Sequence, residues 1–203
     1  MAAKLRPPMM LPRSVSTEAA QSAEARGRQL QRLVRGRLPR SVAGMALRKR
    51  PAARAVVLSP ERRVLLMRFR FPWRDSDVWI TPGGSLRGGE DARDAVLREL
   101  REETGMFAHE VRAELWTRNH RLTVEGEEIL QQERYFLVPA DEFEPRAAAL
   151  DQGNETDWFR GFRWWPVDEL PDASDEFAPT RLGELLRTLL RHGPPSAPFA
   201  IPV

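Results

Sequence analysis

The 203-residue sequence contains no cysteine, which excludes disulfide bonds, thiolate nucleophiles and every zinc or iron–sulfur site built on cysteine. Histidine is scarce, and His109, His120 and His192 are too far apart in the chain to form a paired-histidine zinc helix. No run of about 18 apolar residues occurs, so we expect no transmembrane helix, no membrane partner and a cytoplasmic location. What remains for chemistry is carboxylate, since aspartate and glutamate together number 29.

The charges are unevenly distributed along the chain. Residues 1–54 hold 13 of the 32 lysines and arginines but only two acidic residues, Glu18 and Glu24. The remaining residues therefore carry a net negative charge, which suits cation binding. We expect residues 1–50 to be a basic, mobile extension, for which nucleic acid stays open as a partner.

Patterns of short apolar runs and turns predict the elements of the body. They place strands at 55–58, 63–68, 77–81, 111–116, 130–138 and 159–165, and helices at 91–104 and 180–190. The order β-β-β-α-β-β-β-α predicts an α/β fold with layers around a mixed sheet. We place one domain at 51–192, including the C-terminal helix, followed by a proline-rich tail at 193–203.

The helix predicted at 91–104 departs from an ordinary amphipathic pattern. Its apolar arc is formed by Ala92, Ala95, Val96, Leu97 and Leu100. Glu99 and Glu103 fall inside this arc and Glu102 lies at its edge, although carboxylates normally occupy the opposite face. Glu99 and Glu103 are also a like-charge pair four residues apart, which is unfavourable without a nearby positive charge. Three oxygen donors on adjoining turns are a suitable ligand set for Mg²⁺ or Mn²⁺.

The segment before this helix is rich in glycine. Gly83, Gly84, Gly88 and Gly89 permit the backbone to approach a ligand closely, and the helix N-terminus follows at once. Gly105 is placed to end the helix in a left-handed conformation. A glycine loop, a helix start and a carboxylate cluster together predict a metal–phosphate site. It is not a P-loop, because no Gly-Lys-Ser/Thr sequence follows.

The string Gly84-x5-Glu90-x7-Arg98-Glu99-Leu100-x-Glu102-Glu103-x-Gly105-Met106 resembles a complete Nudix box, with no departure at any defining position. The resemblance extends over about residues 52–170 and includes the segment from Trp164 to Leu170 near the end of the domain. It implies the Nudix α/β/α sandwich and Mg²⁺-dependent hydrolysis of a nucleoside diphosphate linked to another moiety. The substrate class that it implies is a nucleotide-type small molecule.

The resemblance also implies roles for individual residues. Glu99, Glu102 and Glu103 match the metal-binding glutamates, and the Gly84 carbonyl often joins them. Glu90 and Arg98 match positions that shape the loop and orient the carboxylates.

The general base is the least determined element of the site. We assign it to Glu99 and count Glu103 with it as catalytic; Glu155 is the first alternative and Glu133 the second. As an ordinary residue, Glu133 is expected at a strand edge or surface, and His120 is expected at the surface.

Three questions of function stay open at the level of sequence. No downstream signature identifies the substrate. The basic extension favours an RNA 5′-end pyrophosphohydrolase as one alternative. A Nudix-like regulatory module without catalysis is another, which the intact glutamate set argues against. A homodimer is possible as well.

Overall fold

The computed structural model describes residues 47–71, 74–124, 127–147 and 157–203. Within these residues nine strands form: β1 (Arg48–Leu58), β2 (Arg63–Phe69), β3 (Val78–Ile80), β4 (Gly83–Ser85), β5 (Glu114–Val124), β6 (Glu127–Pro139), β7 (Phe159–Pro166), β8 (Glu176–Ala178) and β9 (Phe199–Ala200). The two α-helices there are α1 (Ala92–Thr104) and α2 (Leu182–His192), and Leu170–Asp172 is a 3₁₀ turn. The predicted extension at 1–50 lies almost entirely outside the described residues.

The strands form one mixed sheet in the order β8-β3-β2-β1-β6-β5-β9, with β4 paired to β1 and β7 paired to β2. β1 and β6 run parallel over the full length of β1, from Arg48 opposite Ile129 to Leu58 opposite Pro139. β2 pairs antiparallel with β7 from Arg63 to Phe69. The long parallel pairing makes β1 and β6 the centre of the sheet, on which the helices and β4 are placed.

The two helices cover opposite faces of the sheet. On one face α1 buries Ala92, Ala95, Val96 and Leu100 against side chains of β1, β2 and β6. On the other face α2 buries Leu182, Leu186 and Leu189 in a core that also contains Trp79, Trp116 and Trp165. The alternation of side chains along each strand supplies both cores, since successive residues point to opposite faces. The predicted α/β sandwich with a mixed sheet is confirmed.

Both predicted helices are confirmed, with bounds shifted by one or two residues. Asp91 caps α1, because its side chain accepts a hydrogen bond from the backbone N–H of Arg93 at 2.8 Å. Gly105 ends the helix at φ 72°, and its N–H donates to the carbonyl of Arg101. α2 ends in the same way, where the Gly193 N–H donates to the carbonyl of Leu189.

Several strand boundaries differ from those predicted. β1 begins at Arg48 instead of 55, because its pairing with β6 continues through a segment without large apolar side chains. β5 covers Glu114–Val124 instead of 111–116, since polar residues such as Arg118 and His120 interrupt the apolar alternation. The predicted loop at 83–85 is a short strand, and the tail contains β9, which pairs with β5.

Among the described residues, no helix has both the length and the apolar character needed to cross a membrane. The cytoplasmic location stays a prediction.

Candidate active site

β4 and α1 bring the glycine segment and the acidic helix face together. β4 pairs antiparallel with β1, so that Gly83, Gly84 and Ser85 lie opposite Arg54, Ala53 and Ala52. A Cβ on Gly83 would lie 2.2 Å from the carbonyl oxygen of Ala53, and the residue has φ 133°. Only glycine fits this close approach, which fixes the strand beside the C-terminal half of α1.

Arg98 is the centre of the charge network on α1. Its Nε and Nη2 bond the two oxygens of Glu90 at 2.8 and 2.9 Å. Its Nη1 bonds Glu99 at 2.7 Å and Glu102 at 3.2 Å, and Nη2 also bonds the Ser85 carbonyl at 3.1 Å. One guanidinium thus connects the loop, β4 and two carboxylates, as bidentate arginine pairs commonly do. The expectation that Arg98 orients Glu102 agrees with this arrangement.

Glu90 accepts hydrogen bonds both from α1 and from the loop that precedes it. Besides the fork of Arg98, it accepts from the backbone N–H of Arg87 at 2.8 Å. The hydrogen bonds of Arg98, followed by that of Arg87, lower the pKa of Glu90 to about 2. Glu90 therefore stays ionised and holds Arg98 in place.

Glu99 lies against β4, and its side chain is only 13% exposed. A Cβ on Gly84 would come within 2.4 Å of the Oε1 of Glu99, so glycine at position 84 makes room for this carboxylate. Burial raises the pKa of Glu99, and the hydrogen bond and charge of Arg98 oppose that rise only in part. The carboxylate is thus not fully compensated by its protein neighbours, and a further positive charge would stabilise it.

Glu103 and Glu102 complete the acidic face. Glu103 accepts a hydrogen bond from the backbone N–H of Gly83 at 2.7 Å. Glu102 is more open than Glu99, with which it shares the Nη1 of Arg98; 36% of its side chain is exposed, and it also bonds Arg87 at 3.1 Å. All three glutamates thus lie on the C-terminal half of α1. Glu99 and Glu103 contact β4 directly, and Glu102 is joined to them through Arg98.

The donor set of this face fits a hard divalent cation, since it consists of carboxylate oxygens beside the backbone of Gly84. Within the described part of the chain, however, no three acidic or histidine side chains converge on a common point. Glu99 and Glu102 instead converge on Arg98, and Glu103 on Gly83. Cation binding accordingly requires an exchange of these hydrogen bonds.

A second polar group lies in the sheet, and we call it the sheet cluster: Arg54, Arg118, His120, Glu133 and Tyr135. Glu133 is at its centre and is 3% exposed. It accepts from Arg54 at 2.9 Å, from the Tyr135 hydroxyl at 2.8 Å and from Arg118 at 3.4 Å, and His120 Nδ1 lies 3.7 Å away. The sequence patterns did not predict this cluster, because Arg54 and Glu133 are 79 residues apart in the chain.

The sheet cluster corrects two expectations. Glu133 is not a surface or strand-edge residue, and His120 is not a surface residue, since its side chain is 11% exposed. Burial lowers the pKa of His120 and thus favours the neutral ring. Burial alone would raise the pKa of Glu133, but Arg54, the Tyr135 hydroxyl and Arg118 together lower it. Glu133 is thus an ionised carboxylate saturated by donors.

A family model described as "NUDIX domain" matches residues 48–188, which is more than half of the chain. The chain belongs to the Nudix family. The match confirms the resemblance and spans the described strands from β1 to β8 and most of α2.

Curated relatives and solved structures share this assignment. The Nudix chain is 27% identical over 103 residues to an uncharacterized Nudix hydrolase of Bacillus subtilis. This alignment covers 51% of this chain and 61% of the relative. It is 27% identical over 135 residues to an RNA pyrophosphohydrolase of Novosphingobium aromaticivorans, which covers 61% and 81%. A MutT Nudix hydrolase structure from Burkholderia pseudomallei is 26% identical with a TM-score of 0.51, covering 69% of this chain and 97% of that one. The chain thus spans less than two thirds of the Bacillus subtilis relative.

The residues predicted from the Nudix box lie where α1, its preceding loop and β4 meet. Gly84, Glu90, Arg98, Glu99, Glu102 and Glu103 are joined by the contacts given above, and Gly105 ends the helix. Glu133 belongs to the sheet cluster instead. Glu155 lies outside the described residues.

Proposed function

We propose that this Nudix protein is a Mg²⁺- or Mn²⁺-dependent pyrophosphohydrolase that cleaves the diphosphate of a nucleoside diphosphate linked to another moiety. The observation that carries the proposal is the intact acidic face of α1 held by Arg98 against β4. The complete box also argues against a regulatory module without catalysis.

The residues that would hold the cation are Glu99, Glu102 and Glu103, together with the Gly84 carbonyl. Supporting this role, Glu99 is partly buried without full charge compensation, and Glu102 is open enough to receive a ligand. When bound, the cation neutralises charge on the diphosphate and lowers the pKa of water. Glu90 and Arg98 orient the carboxylates, and the lack of a Cβ at Gly84 leaves room for Glu99.

In the proposed step, a water oxygen forms a bond to one phosphorus atom while the bond from that phosphorus to the bridging oxygen breaks. We assign removal of the water proton to Glu99, and the leaving phosphate takes the electron pair of the broken bond. Glu155 stays an alternative base. Glu133 is a less suitable one, because three donors occupy it and its pKa is lowered.

RNA with a 5′ triphosphate is the second candidate substrate. Two relatives carry the name RNA pyrophosphohydrolase, at 27% and 29% identity. The basic residues of 1–54 also suit a polyanion. Release of pyrophosphate from triphosphorylated RNA, with loss of binding as salt rises, would favour this candidate over a free nucleotide.

The test is a hydrolysis screen with metal-stripped protein, in which Mg²⁺ or Mn²⁺ is restored. The panel contains linked nucleoside diphosphates, nucleoside triphosphates and triphosphorylated RNA, and phosphate or pyrophosphate is measured. We expect cation-dependent turnover of at least one class. The same assay is applied to Glu99→Gln and Glu103→Gln. Asp94→Asn is their matched control, because Asp94 lies on the exposed side of the same helix. Absence of turnover on every class with either cation would contradict the proposal.

A further inference from the structure

The sheet cluster contains the ion pair of Arg54 and Glu133, and a contribution to stability alone does not explain why it is buried there. Glu133 is 3% exposed and Arg54 is 20% exposed, so both charges are largely removed from water. A buried ion pair adds little net stability, because desolvation offsets much of the attraction between the charges. Its geometry, however, fixes the direction of the Arg54 side chain, since Nε bonds Glu133 at 2.9 Å.

That direction brings Arg54 to the backbone of β4. Its Nη1 donates to the carbonyl oxygen of Gly83 at 2.6 Å. The N–H of the same Gly83 donates to the carboxylate of Glu103 at 2.7 Å. Gly83 is thus held on both sides, by Arg54 from the sheet and by Glu103 from α1.

Two further observations connect the position of this backbone to the carboxylates of α1. β4 is only three residues long, and Gly83 has φ 133°, a conformation that its neighbours must maintain. Gly84, which follows, is the residue whose lack of a Cβ makes room for Glu99. A shift of β4 would therefore move the contacts of both Glu99 and Glu103.

We propose that Arg54, held by Glu133, is a positioning residue for the acidic face of α1, acting through Gly83 on Glu103 and Gly84. The inference rests on the proposed function and adds a pair outside the Nudix box to it. Arg54 acts on cation binding and turnover, while its contribution to substrate affinity is small.

The test compares three forms of the full chain. The double variant Arg54→Met with Glu133→Gln removes both charges of the pair and leaves an amide oxygen that can accept from Arg118 and the Tyr135 hydroxyl, so the fold is expected to survive. Arg54→Lys retains the charge beside Glu133 but loses the planar fork that reaches Gly83 at the same time. The control is Arg134→Met with Glu114→Gln, which removes another arginine–glutamate pair, bonded at 2.9 Å between β6 and β5.

Circular dichroism first confirms that each variant is folded. Mn²⁺ binding is then measured by electron paramagnetic resonance without substrate, and kcat and KM are measured on the best substrate of the screen. We expect the double variant to bind Mn²⁺ about 10- to 100-fold more weakly and to lose kcat by a similar factor. KM should change by less than about threefold, and Arg54→Lys should fall between wild type and double variant.

If the double variant is folded and has the Mn²⁺ affinity and kcat of the wild type, the inference is overturned. A loss confined to KM would also overturn it, because it would make Arg54 a substrate-binding residue. An equal loss in the control would assign the effect to the sheet in general and would overturn it too. If the wild type neither binds Mn²⁺ nor hydrolyses any substrate, the proposed function fails instead.

Discussion

The adjacent glycines of β4 allow a sharp separation of fold from function by two alanine substitutions. A Cβ at Gly83 would meet backbone atoms, the Ala53 oxygen at 2.2 Å and the Arg54 Cα at 2.8 Å. The three atoms nearest to a Cβ at Gly84 all belong to the end of a flexible side chain, the Glu99 carboxylate, with Oε1 at 2.4 Å. The first contact is relieved only by moving strands, whereas the second is relieved by rotating Glu99.

The expected magnitudes follow from these contacts. In Gly83→Ala, the φ of 133° costs about 1–3 kcal/mol for a residue with a Cβ. Steric overlap with the backbone adds about 1–3 kcal/mol. A domain of this size loses roughly 2–4 °C in Tm for each kcal/mol, so we expect a fall of roughly 4–24 °C.

Gly84→Ala should cost much less stability. Gly84 has no positive φ, so alanine introduces no backbone strain there. The displaced Glu99 loses its 2.7 Å bond to Arg98 but becomes better solvated, so the net loss is at most about 2 kcal/mol. A displacement of about 1 Å at a catalytic group reduces turnover about 100-fold, and we expect at least that loss in kcat.

The assay combines thermal unfolding by circular dichroism with kcat for the best substrate at saturating Mg²⁺. The reasoning predicts a stable, inactive Gly84→Ala and a destabilised Gly83→Ala. Wild-type kcat in Gly84→Ala would refute the placement of Glu99 in the reaction. Equal losses of Tm in both variants would refute the distinction between backbone and side-chain contacts.

Three further predictions concern the glutamates, a buried histidine and the N-terminal extension. Glu99→Gln and Glu103→Gln should each reduce cation-dependent hydrolysis by at least about 100-fold. The circular dichroism spectrum should stay unchanged, since Gln keeps the size and helix propensity of Glu. Hydrolysis rates near that of the wild type would contradict the assignment. Burial lowers the pKa of His120 below 6.5, so the unfolded chain binds more protons and stability falls as pH drops below about 6.5. His120→Gln should flatten the dependence of urea unfolding free energy on pH between 7 and 5, and an identical slope would exclude this cause. A chain beginning at Met45 should fold and keep its kcat on a free nucleotide within a few-fold. It should bind polyanions more weakly, because it lacks most of the excess of basic over acidic residues. An insoluble product would show that the extension belongs to the fold.

The sequence alone determined the acidic helix and its ends. Glu99, Glu102 and Glu103 share one face of α1 because a helix repeats every 3.6 residues, and this geometry is local. Gly105 ends the helix for an equally local reason, since it is placed in the left-handed conformation directly after the last turn.

Only the tertiary structure decided what surrounds that helix. The sequence pattern gave a loop at residues 83–85, because a three-residue strand of glycine and serine carries no apolar alternation, and pairing with β1 makes it a strand. The pattern likewise placed His120 at the surface, although β5 continues past the predicted end and buries it.

The pairing of Arg54 with Glu133 shows why such features escape a reading of the sequence. The two residues are 79 positions apart and meet because β1 and β6 align in parallel over eleven residues. Register between distant strands depends on the packing of the whole core, and the charge environment of a side chain depends on that register. The glutamates proposed as cation ligands could therefore be predicted from local periodicity, whereas the contacts that hold β4 against them arise only from long-range packing.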